Sequence, residues 1–420
     1  MSYLYILILD ESSDKTPTIH HATYRGLTKK INDPLELTLK QLEDISHILV
    51  LTINRKNLNT IREVREYLLN RVNDENVRKL IQELWIFTES IQCTNLHCCT
   101  IRTLSKIYRH LQKYENVRKL IVDLCHISDT FTLTGIIHAF EIISNITNVE
   151  TTLLLLEYHK QEGHASIREL NLSKSDIDPL RKSAHLIDVV LSCEELSASD
   201  LHSISLLKGR FNELETYVRS GAIEHVARVL KDLKSQIELT LNRLRDYDVK
   251  TIIEMLPILS YLPSEESFIN KIRSVIEFLL ALKMYDRALK YLLLKIFLIT
   301  LSHCCYFGII DRSFCKFGNV EQLLREVMIE FLRRLDIDVV NRALHYVSTF
   351  DFLFIRKPFC RSLCTEELEK AGEVMCEGVF SEEELRNVIV ELVSLVERLS
   401  YYELCDVLKD VIERRGVGTS

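Results

Sequence analysis

Short, β-rich apolar runs alternate with longer helical stretches over the first 175 or so residues, and this alternation constrains the fold more than any other feature. The runs are Tyr3–Leu9, His47–Ile53, Leu84–Phe87, Lys119–Cys125 and Glu150–Tyr158. Because ten or more residues separate consecutive runs, the strands that they form are expected to pair in parallel through right-handed crossovers. The pattern predicts a Rossmann-like α/β domain with a mostly parallel sheet.

Apolar side chains at spacings of three and four residues predict the helices between these strands. The helices are Asp33–Leu42, Leu58–Val72, Asn76–Leu84, Thr100–Gln112 and Thr130–Ile146. Pro34 suits the first turn of a helix, where its missing N–H would have no partner in any case. A further run, Ile167–Leu172, predicts an additional strand at the edge of the sheet.

The strand pattern fades after about residue 176, and the rest of the chain predicts an all-α region. Apolar residues from Glu213 to Leu244 fit one long amphipathic helix, interrupted near Gly221. Further helices are predicted at about 248–261, 264–282, 285–303, 319–335, 337–348 and 381–413, the last opened by the capping box Ser381-x-x-Glu384. We therefore expect an α/β domain over 1–175, a helical linker over 176–262 and a helical domain over 263–420.

The charge balance limits the partners that the chain can bind. Its 53 Lys and Arg against 60 Asp and Glu give a formal net charge of -7, which argues against a surface coated with positive charge for duplex DNA. One basic pocket for a small anion or an RNA strand stays compatible with that charge. No apolar stretch reaches the roughly 18 residues of a membrane span, and the first residues lack the pattern of a secretory signal. We expect a cytoplasmic protein.

Twelve cysteines occur without a CxxC pair or a zinc-ribbon spacing. We expect most of them to be buried apolar residues, with disulfides as an alternative only in a hyperthermophile. His97-Cys98-Cys99 and His303-Cys304-Cys305 resemble each other, but adjacent cysteines rarely both reach one tetrahedral ion. No metal site is therefore predicted.

Glycine-based motifs are absent from the sequence, which has only 11 glycines. It contains neither GxGxxG nor GxxxxGK[ST], so classical dinucleotide cofactors and P-loop nucleotide hydrolysis are not expected. GxSxG, HExxH and DFG-type motifs are absent as well. The α/β half therefore has the predicted architecture of a nucleotide binder without the usual glycine loop.

The segment Asp123–Thr132 is the best candidate for a ligand site. A strand ends there, small and polar residues follow, and a helix starts at once. The N–H groups and positive dipole end of a helix N-terminus favour a phosphate, and ligands of open α/β sheets bind beyond the carboxyl ends of the strands. Ser128 and Asp129 are equally ordinary N-cap residues, so the residues alone leave a ligand site and a plain cap equally open.

The segment resembles the nucleotide-sensing motif of CARF domains, the Rossmann-like sensors of CRISPR-associated proteins. Asp123, Leu124 and His126 match the family's Asp-Leu-Thr-His-Gly, while Cys125 replaces the Thr and Ile127 replaces the Gly. The resemblance implies ligand contacts from this turn, from the loop after the first strand and from the loop before the first helix. The implied residues are Asp10, Ser12, Ser13, Tyr24, Arg25, Asp123, Cys125, His126 and Ser128. For the loop at Tyr24, a plain surface loop is the simpler alternative.

The second half resembles the helical HEPN domain that accompanies CARF domains in ribonucleases, beginning near Lys283–Leu289. HEPN ribonucleases use an Arg, often followed by Asn, and a His after four to six further residues. Asn341 and His345 fit this pattern, but Val340 stands at the Arg position. Arg342 lies one turn from His345 and could replace the missing Arg. A degenerate motif is the alternative.

The resemblance implies a metal-independent endoribonuclease of a type III CRISPR defence system, activated by a cyclic oligoadenylate. It implies a homodimer that binds cyclic tetra-adenylate or a related cyclic oligonucleotide, acts on single-stranded RNA, and needs neither a cofactor nor a membrane. The alternative is a non-catalytic sensor or scaffold with a degenerate HEPN domain. A third possibility, slow cleavage of the ligand by the CARF domain itself, has no residue in its favour.

Overall fold

The computed structural model describes most of the first 295 residues and a short C-terminal part. The described residues are 2–10, 21–29, 33–42, 45–55, 58, 60–114, 116–127, 129–147, 149–159, 164–174, 177–263, 268–285, 287–289, 291–292, 295, 382–396, 405–406, 409–410 and 413–414. The helices predicted at 319–335 and 337–348 lie outside them. Every structural statement below concerns the described residues.

Eight strands and eleven helices are described. The strands are β1 (Ser2–Leu9), β2 (Ala22–Tyr24), β3 (Leu27–Lys29), β4 (Ile45–Ile53), β5 (Trp85–Ile91), β6 (Val117–Asp123), β7 (Glu150–His159) and β8 (His164–Leu172). The helices are α1 (Pro34–Gln41), α2 (Ile61–Arg71), α3 (Glu75–Glu83), α4 (Leu96–Lys113), α5 (Thr130–Ile146), α6 (Pro179–Leu191), α7 (Ala198–Ser220), α8 (Ile223–Arg243), α9 (Tyr247–Glu254), α10 (Phe268–Ala281) and α11 (Glu382–Val396).

The strands form one sheet in the order β3-β2-β8-β7-β6-β1-β4-β5. The five strands β7, β6, β1, β4 and β5 are parallel to one another. Their order about β1 is that of a doubly wound α/β fold. β8 is antiparallel to β7, β2 is parallel to β8, and β3 is antiparallel to β2. The predicted α/β domain with a mostly parallel sheet is confirmed. The all-α character of residues 263–420 stays a prediction.

Burial on both faces explains the unbroken apolar run of β1. Tyr5, Leu7 and Leu9 belong to one core cluster, which includes side chains of α1, α2 and α3. Leu4, Ile6 and Ile8 are just as buried and point to the opposite face. Continuous rather than alternating apolarity is typical of parallel strands covered by helices on both sides. At the edge of the sheet, Trp85 at the start of β5 is 72% exposed.

The edge beside β8 differs from the prediction. Residues 167–172 were expected to form an edge strand, but β8 begins at His164 and is interior, since β2 pairs with its outer side. The segment Thr23–Gly26 is not a loop: Thr23 and Tyr24 are in β2, and Arg25 and Gly26 form the turn to β3. Both turn residues have positive φ, 47° and 79°, the conformation that a tight two-residue hairpin requires.

The helix predicted over Glu213–Leu244 is two helices, α7 and α8, with an interruption at Gly221 as expected. Gly221 has a φ of +76°, which a residue with a side chain rarely adopts. α6 was not predicted; its N-cap Asp178 accepts from Arg181 N and Pro179 occupies its first turn. The helix expected over 248–261 is α9 followed by a short 3₁₀ helix, Pro257–Tyr261.

Two compact units divide the chain. One comprises residues 1–208 and 237–257 and contains the sheet; the other comprises 209–236 and 258–420. Among the described residues, no helix is long and apolar enough to cross a lipid bilayer.

The expectation that the cysteines are buried apolar residues without disulfides is wrong for four of those that the structure describes. Cys98 forms a disulfide with Cys193, and Cys93 forms one with Cys99. Cys193 lies 95 residues after Cys98 in the chain, so no local cysteine spacing could predict this disulfide. Cys125, by contrast, is the buried unpaired residue that was expected.

Candidate ligand-binding site at the carboxyl edge of the sheet

The order of the parallel strands places a switch point between β1 and β6. β4, the next of the five parallel strands after β1 in the chain, lies on one side of β1, and β6 lies on the other; in doubly wound sheets, ligands bind beyond the strand ends at such a point. Asp10 directly follows β1, and Asp123 is the last residue of β6. Residues 123–127, here called the switch-point turn, therefore lie where ligands of this fold class bind.

The Asp123 carboxylate is fully buried and both of its oxygens have donors. Tyr5 Oη donates to Oδ2, and Thr38 Oγ1 lies 3.4 Å from the same oxygen. Oδ1 accepts from Cys125 N over 2.9 Å. Burial raises the pKa of Tyr5 well above its ordinary value, and the negative charge of Asp123 raises it further. A buried carboxylate requires such donors, and Asp123 uses them to fix the path of the turn.

The Cys125 thiol points into the protein. Its residue is 4% exposed, and Sγ lies 3.8 Å from Leu154 O, which also accepts from Leu124 N over 3.0 Å. Burial raises the pKa of Cys125 well above its usual range, and the Asp123 charge acts in the same direction. The thiol is therefore neutral at physiological pH and packs as a small apolar group.

His126 joins the switch-point turn to the start of α1. It is 2% exposed, and its Nε2 lies 3.4 Å from Asp33 Oδ1. The same carboxylate caps α1 by accepting from Leu35 N over 2.9 Å, and it accepts from Arg71 Nη1 over 2.7 Å. Asp33 is thus the common partner of the turn, of α1 and of the last residue of α2.

The N-terminus of α5 is capped by its own sequence. Asp129 Oδ2 accepts from Thr132 N over 2.8 Å, and hydrogen bonds from the side chain and then the backbone of Thr132 lower the pKa of Asp129. Asp129 is therefore the N-cap of α5, as the simpler of the two interpretations predicted.

A second polar group surrounds the hairpin turn (Arg25–Gly26). Tyr24 Oη donates to Glu169 Oε1 over 2.7 Å, and Arg25 Nε donates to the same oxygen over 2.6 Å. Burial opposes ionisation of Glu169, but the hydrogen bonds from Arg25 and Tyr24 outweigh it and lower the pKa of the carboxyl. Tyr24 is 1% exposed, whereas the Arg25 side chain is 46% exposed. Arg25 is thus a cation that Glu169 orients and that solvent can still reach.

The two polar groups lie on one face of the sheet. Asp123 pairs with Leu154 and Leu154 pairs with Glu169, so these three side chains form one row across β6, β7 and β8. Two strand spacings of ~4.8 Å place the backbones of Asp123 and Glu169 about 10 Å apart. A ligand seated at the switch point and extending over β7 would approach Arg25.

The structure brings together only some of the predicted site residues. Asp123, Cys125 and His126 form the switch-point turn, Asp10 lies beyond the neighbouring strand, and Tyr24 and Arg25 share Glu169. Their roles as ligand contacts stay predictions. The following lie outside the described residues: Ser12, Ser13, Ser128, Asn341, Arg342 and His345.

Four residues of this framework were not predicted: Tyr5, Asp33, Thr38 and Glu169. Tyr5 could have been noticed, because a hydroxyl in the middle of a strand buried on both faces requires a polar partner. Its partner Asp123 is 118 residues away, and no sequence signal links the two residues.

The chain has structural likenesses among solved proteins. No protein-family model matches the chain. No curated protein matches it either. Among solved structures, it is similar to Enterococcus italicus Csm6 bound to cyclic hexa-2'-fluoro-hexa-dAMP, with 10% sequence identity over 98% of this chain and 100% of that chain, and a TM-score of 0.26. At this TM-score the likeness carries no argument about fold or function.

Proposed function

We propose that this chain senses a cyclic oligoadenylate at the switch-point turn and belongs to a type III CRISPR defence system. One observation carries this: the Asp123-Leu124-x-His126 segment, which resembles the CARF motif, lies at the end of β6 beside the switch point of a doubly wound sheet. The motif and the fold-level position of the site are independent of each other, and both favour a nucleotide.

The contacts of the turn define how such a ligand would be held. Asp123 and His126 are buried and bonded to protein groups, so they shape the backbone that faces the ligand. The ligand's phosphates would be met by backbone N–H groups and by the guanidinium of Arg25, which is exposed on the same face. A cyclic ligand with two equivalent halves would bind across a homodimer, each protomer supplying one switch-point turn.

The output of this sensor is RNA cleavage by the C-terminal region. Asn341, Arg342 and His345 would orient the phosphate and move protons while the RNA 2′-hydroxyl attacks, without a metal ion. Ligand binding can activate this site only if the ligand distinguishes two arrangements of the dimer.

A non-catalytic sensor is the second candidate, and one residue favours it. Val340 stands where the ribonucleases have Arg, and a side chain without charge cannot stabilise a phosphate. In this case the ligand would regulate assembly or a partner protein instead of cleavage.

Binding and cleavage are tested separately. Calorimetry of the full chain with cyclic tetra-adenylate, and with larger rings, measures the sensor; labelled single-stranded RNA in chelator, with and without the ring, measures the nuclease. We expect binding to weaken about tenfold in Arg25→Asn, since one charge-assisted contact of about 1.4 kcal/mol is lost. Arg168→Asn is the matched control, because Arg168 is the next residue to Glu169 and points to the opposite face.

The outcomes separate the candidates. Ring-dependent cleavage that His345→Ala abolishes supports the ribonuclease. Tight ring binding without cleavage rejects the ribonuclease and leaves the non-catalytic sensor. Absence of binding for every ring rejects cyclic-oligoadenylate sensing itself.

A further inference from the structure

Two disulfides meet at the start of α4 and differ in how far they reach along the chain. Cys93 and Cys99 are six residues apart and close a loop within one connection, from the end of β5 to the beginning of α4. Cys98 and Cys193 are 95 residues apart and join α4 to the segment after α6. A cross-link over a long loop restricts the unfolded chain more than one over a short loop, so opening the short one destabilises the fold less.

The four cysteines also differ in their access to solvent. Cys98 and Cys99 are fully buried and Cys193 is 5% exposed, whereas Cys93 is partly exposed. A thiolate in solution opens a disulfide by attacking a sulfur that it can reach. A small thiol can therefore approach the Cys93–Cys99 disulfide at Cys93, while both residues of the Cys98–Cys193 disulfide are inside the protein.

The surroundings of Cys99 leave no room for an added group. Gly135 of α5 packs against it so closely that a Cβ added to the glycine would lie 3.1 Å from Cys99 Cβ and 3.4 Å from its Sγ. The next residue, Thr100, donates from Oγ1 to Gly135 O over 3.1 Å and so joins α4 to α5 at the same place. A mixed disulfide with a small thiol can therefore form at Cys93 and not at Cys99.

Asn54, just after β4, holds Cys93 in place without using its sulfur. Asn54 Oδ1 accepts from Cys93 N over 2.8 Å, and Nδ2 donates to Cys93 O over 3.1 Å. Asn54 N donates to Ile91 O over 2.9 Å, so Asn54 is itself fixed to the end of β5. On the other side of the loop, Asn95 Oδ1 accepts from Cys98 N and caps α4. None of these contacts needs the disulfide, so the two thiols of an opened pair stay close enough to re-form it.

We propose that the Cys93–Cys99 disulfide is a reversible redox switch, which a low-molecular-weight thiol of the glutathione type opens by attack on Cys93 while Cys98–Cys193 stays closed. The small thiolate forms a bond to Cys93 Sγ, and the Cys93–Cys99 bond breaks with its electron pair on Cys99 Sγ, which takes a proton. A second small thiolate attacks the added sulfur, forms the oxidised small-molecule dimer and releases the Cys93 thiolate, which takes a proton in turn. Two small thiols are thus oxidised to one disulfide, and the protein disulfide is reduced to two thiols.

Graded glutathione buffers test the order of opening in the full chain. At each ratio of reduced to oxidised glutathione, free thiols are alkylated, and tandem mass spectrometry measures the oxidised fraction of each pair. We expect Cys93–Cys99 to open at a value of [GSH]²/[GSSG] about tenfold or more below that for Cys98–Cys193, which corresponds to about 30 mV in reduction potential. The circular dichroism spectrum should be unchanged at that point, and oxidised glutathione should restore the same pairing. The switch does not depend on which ligand binds at the switch-point turn.

Two serine variants test the point of attack, since each leaves a single thiol of the pair. Cys99→Ser leaves Cys93, which should take up glutathione from its oxidised form; Cys93→Ser is the matched control and leaves the buried Cys99, which should take up none. Asn54→Gly tests the positioning: glycine keeps the φ of 54° that Asn54 adopts and removes the side chain that holds Cys93. This variant should make Cys93–Cys99 about tenfold easier to reduce and leave Cys98–Cys193 unaltered.

Three results would overturn the switch. One is opening of both disulfides at the same glutathione ratio, and another is loss of the circular dichroism signal as Cys93–Cys99 opens, which would make this disulfide a structural cross-link. The third is uptake of glutathione at Cys99 that equals or exceeds uptake at Cys93. If a serine variant does not fold, the titration of the wild type still decides, because the order of opening is measured there without any substitution.

Discussion

The switch-point turn and the hairpin turn were both predicted to contact a ligand, and the structure gives them opposite characters. Asp123, Cys125 and His126 are almost completely buried, and their side chains contact groups inside the protein. Arg25 is held by one carboxylate and about half of its side chain faces solvent. The motif residues therefore fix a shape, and the accessible charge comes from a strand pair that the motif does not include.

This difference predicts which quantity each turn controls. Changes at the switch-point turn should act mainly on the free energy of unfolding, because they leave buried polar groups without partners. Changes at the hairpin turn should act on ligand binding and leave stability almost unaltered. The expected loss of stability is largest for Asp123 and smallest for Arg25.

Asp123→Ala should have the largest effect. It removes the acceptor of Tyr5 Oη and Cys125 N in a fully buried site, so we expect a loss of about 3 kcal/mol or more in the free energy of unfolding. Urea denaturation measures it. Asp129→Ala, which removes an exposed N-cap six residues away, should cost about 1 kcal/mol. Equal effects of the two variants would contradict the buried role of Asp123.

Tyr5→Phe should cost about 2 kcal/mol at neutral pH, since the hydrogen bonds of its hydroxyl with Asp123 and with Thr38 are lost while the ring stays. The pKa of Tyr5 is raised above its ordinary 10.0 by burial and by Asp123. Above pH 10 the unfolded chain loses this proton while the folded chain keeps it, so wild-type stability falls as the pH rises. Urea denaturation from pH 8 to 11 should show a shallower fall in Tyr5→Phe. A slope identical to that of the wild type would contradict this assignment.

Glu169→Gln should cost less than about 1 kcal/mol, because the carboxylate and Arg25 are partly exposed and solvent screens them. The pKa of Glu169 is lowered below its ordinary 4.5, so its contribution is present above that pH and is lost as the pH falls below it. Thermal unfolding from pH 7 to pH 3 should show a smaller acid-dependent decrease in Glu169→Gln. Loss of stability at pH 7 as large as that of Asp123→Ala would reverse the contrast between the turns.

Arg25→Asn should change stability by less than about 0.5 kcal/mol. Asn tolerates the positive φ that Arg25 adopts, so the turn to β3 is kept while the charge is removed. The same variant is expected to weaken cyclic-oligoadenylate binding, which makes it the sharpest test of the contrast. If thermal unfolding shows a substantial loss of stability, Arg25 is a structural residue and the hairpin turn is not a free contact.

The elements of the central sheet were predictable because their signals are local. Each of the runs at β1, β4, β6 and β7 is apolar over its own length, and the capping and spacing of residues 130–146 define α5 without reference to the rest of the chain. The position of Asp123 at a strand end followed from the same information.

The pairing partners could not be predicted, because they depend on distant segments. Nothing in Ile167–Leu172 shows that a three-residue strand from residues 22–24 covers its outer side. The contact of Tyr5 with Asp123 and the disulfide of Cys98 with Cys193 likewise join segments about a hundred residues apart. The contact residues of the site are set by such pairs, which is why the motif indicated the turn but not its partners.

The solvent-facing indole at the start of β5 has a practical consequence. Trp85 is the only tryptophan of the chain, and three strand positions separate β5 from β6. The tryptophan emission of the protein thus comes from a fluorophore already exposed to water and remote from the switch-point turn, so it is a weak reporter of core unfolding and of ligand binding. Phe131, 42% exposed in the first turn of α5, is a better place for a probe. In a chain with Trp85→Phe and Phe131→Trp, the tryptophan fluorescence would report ligand binding near the switch-point turn.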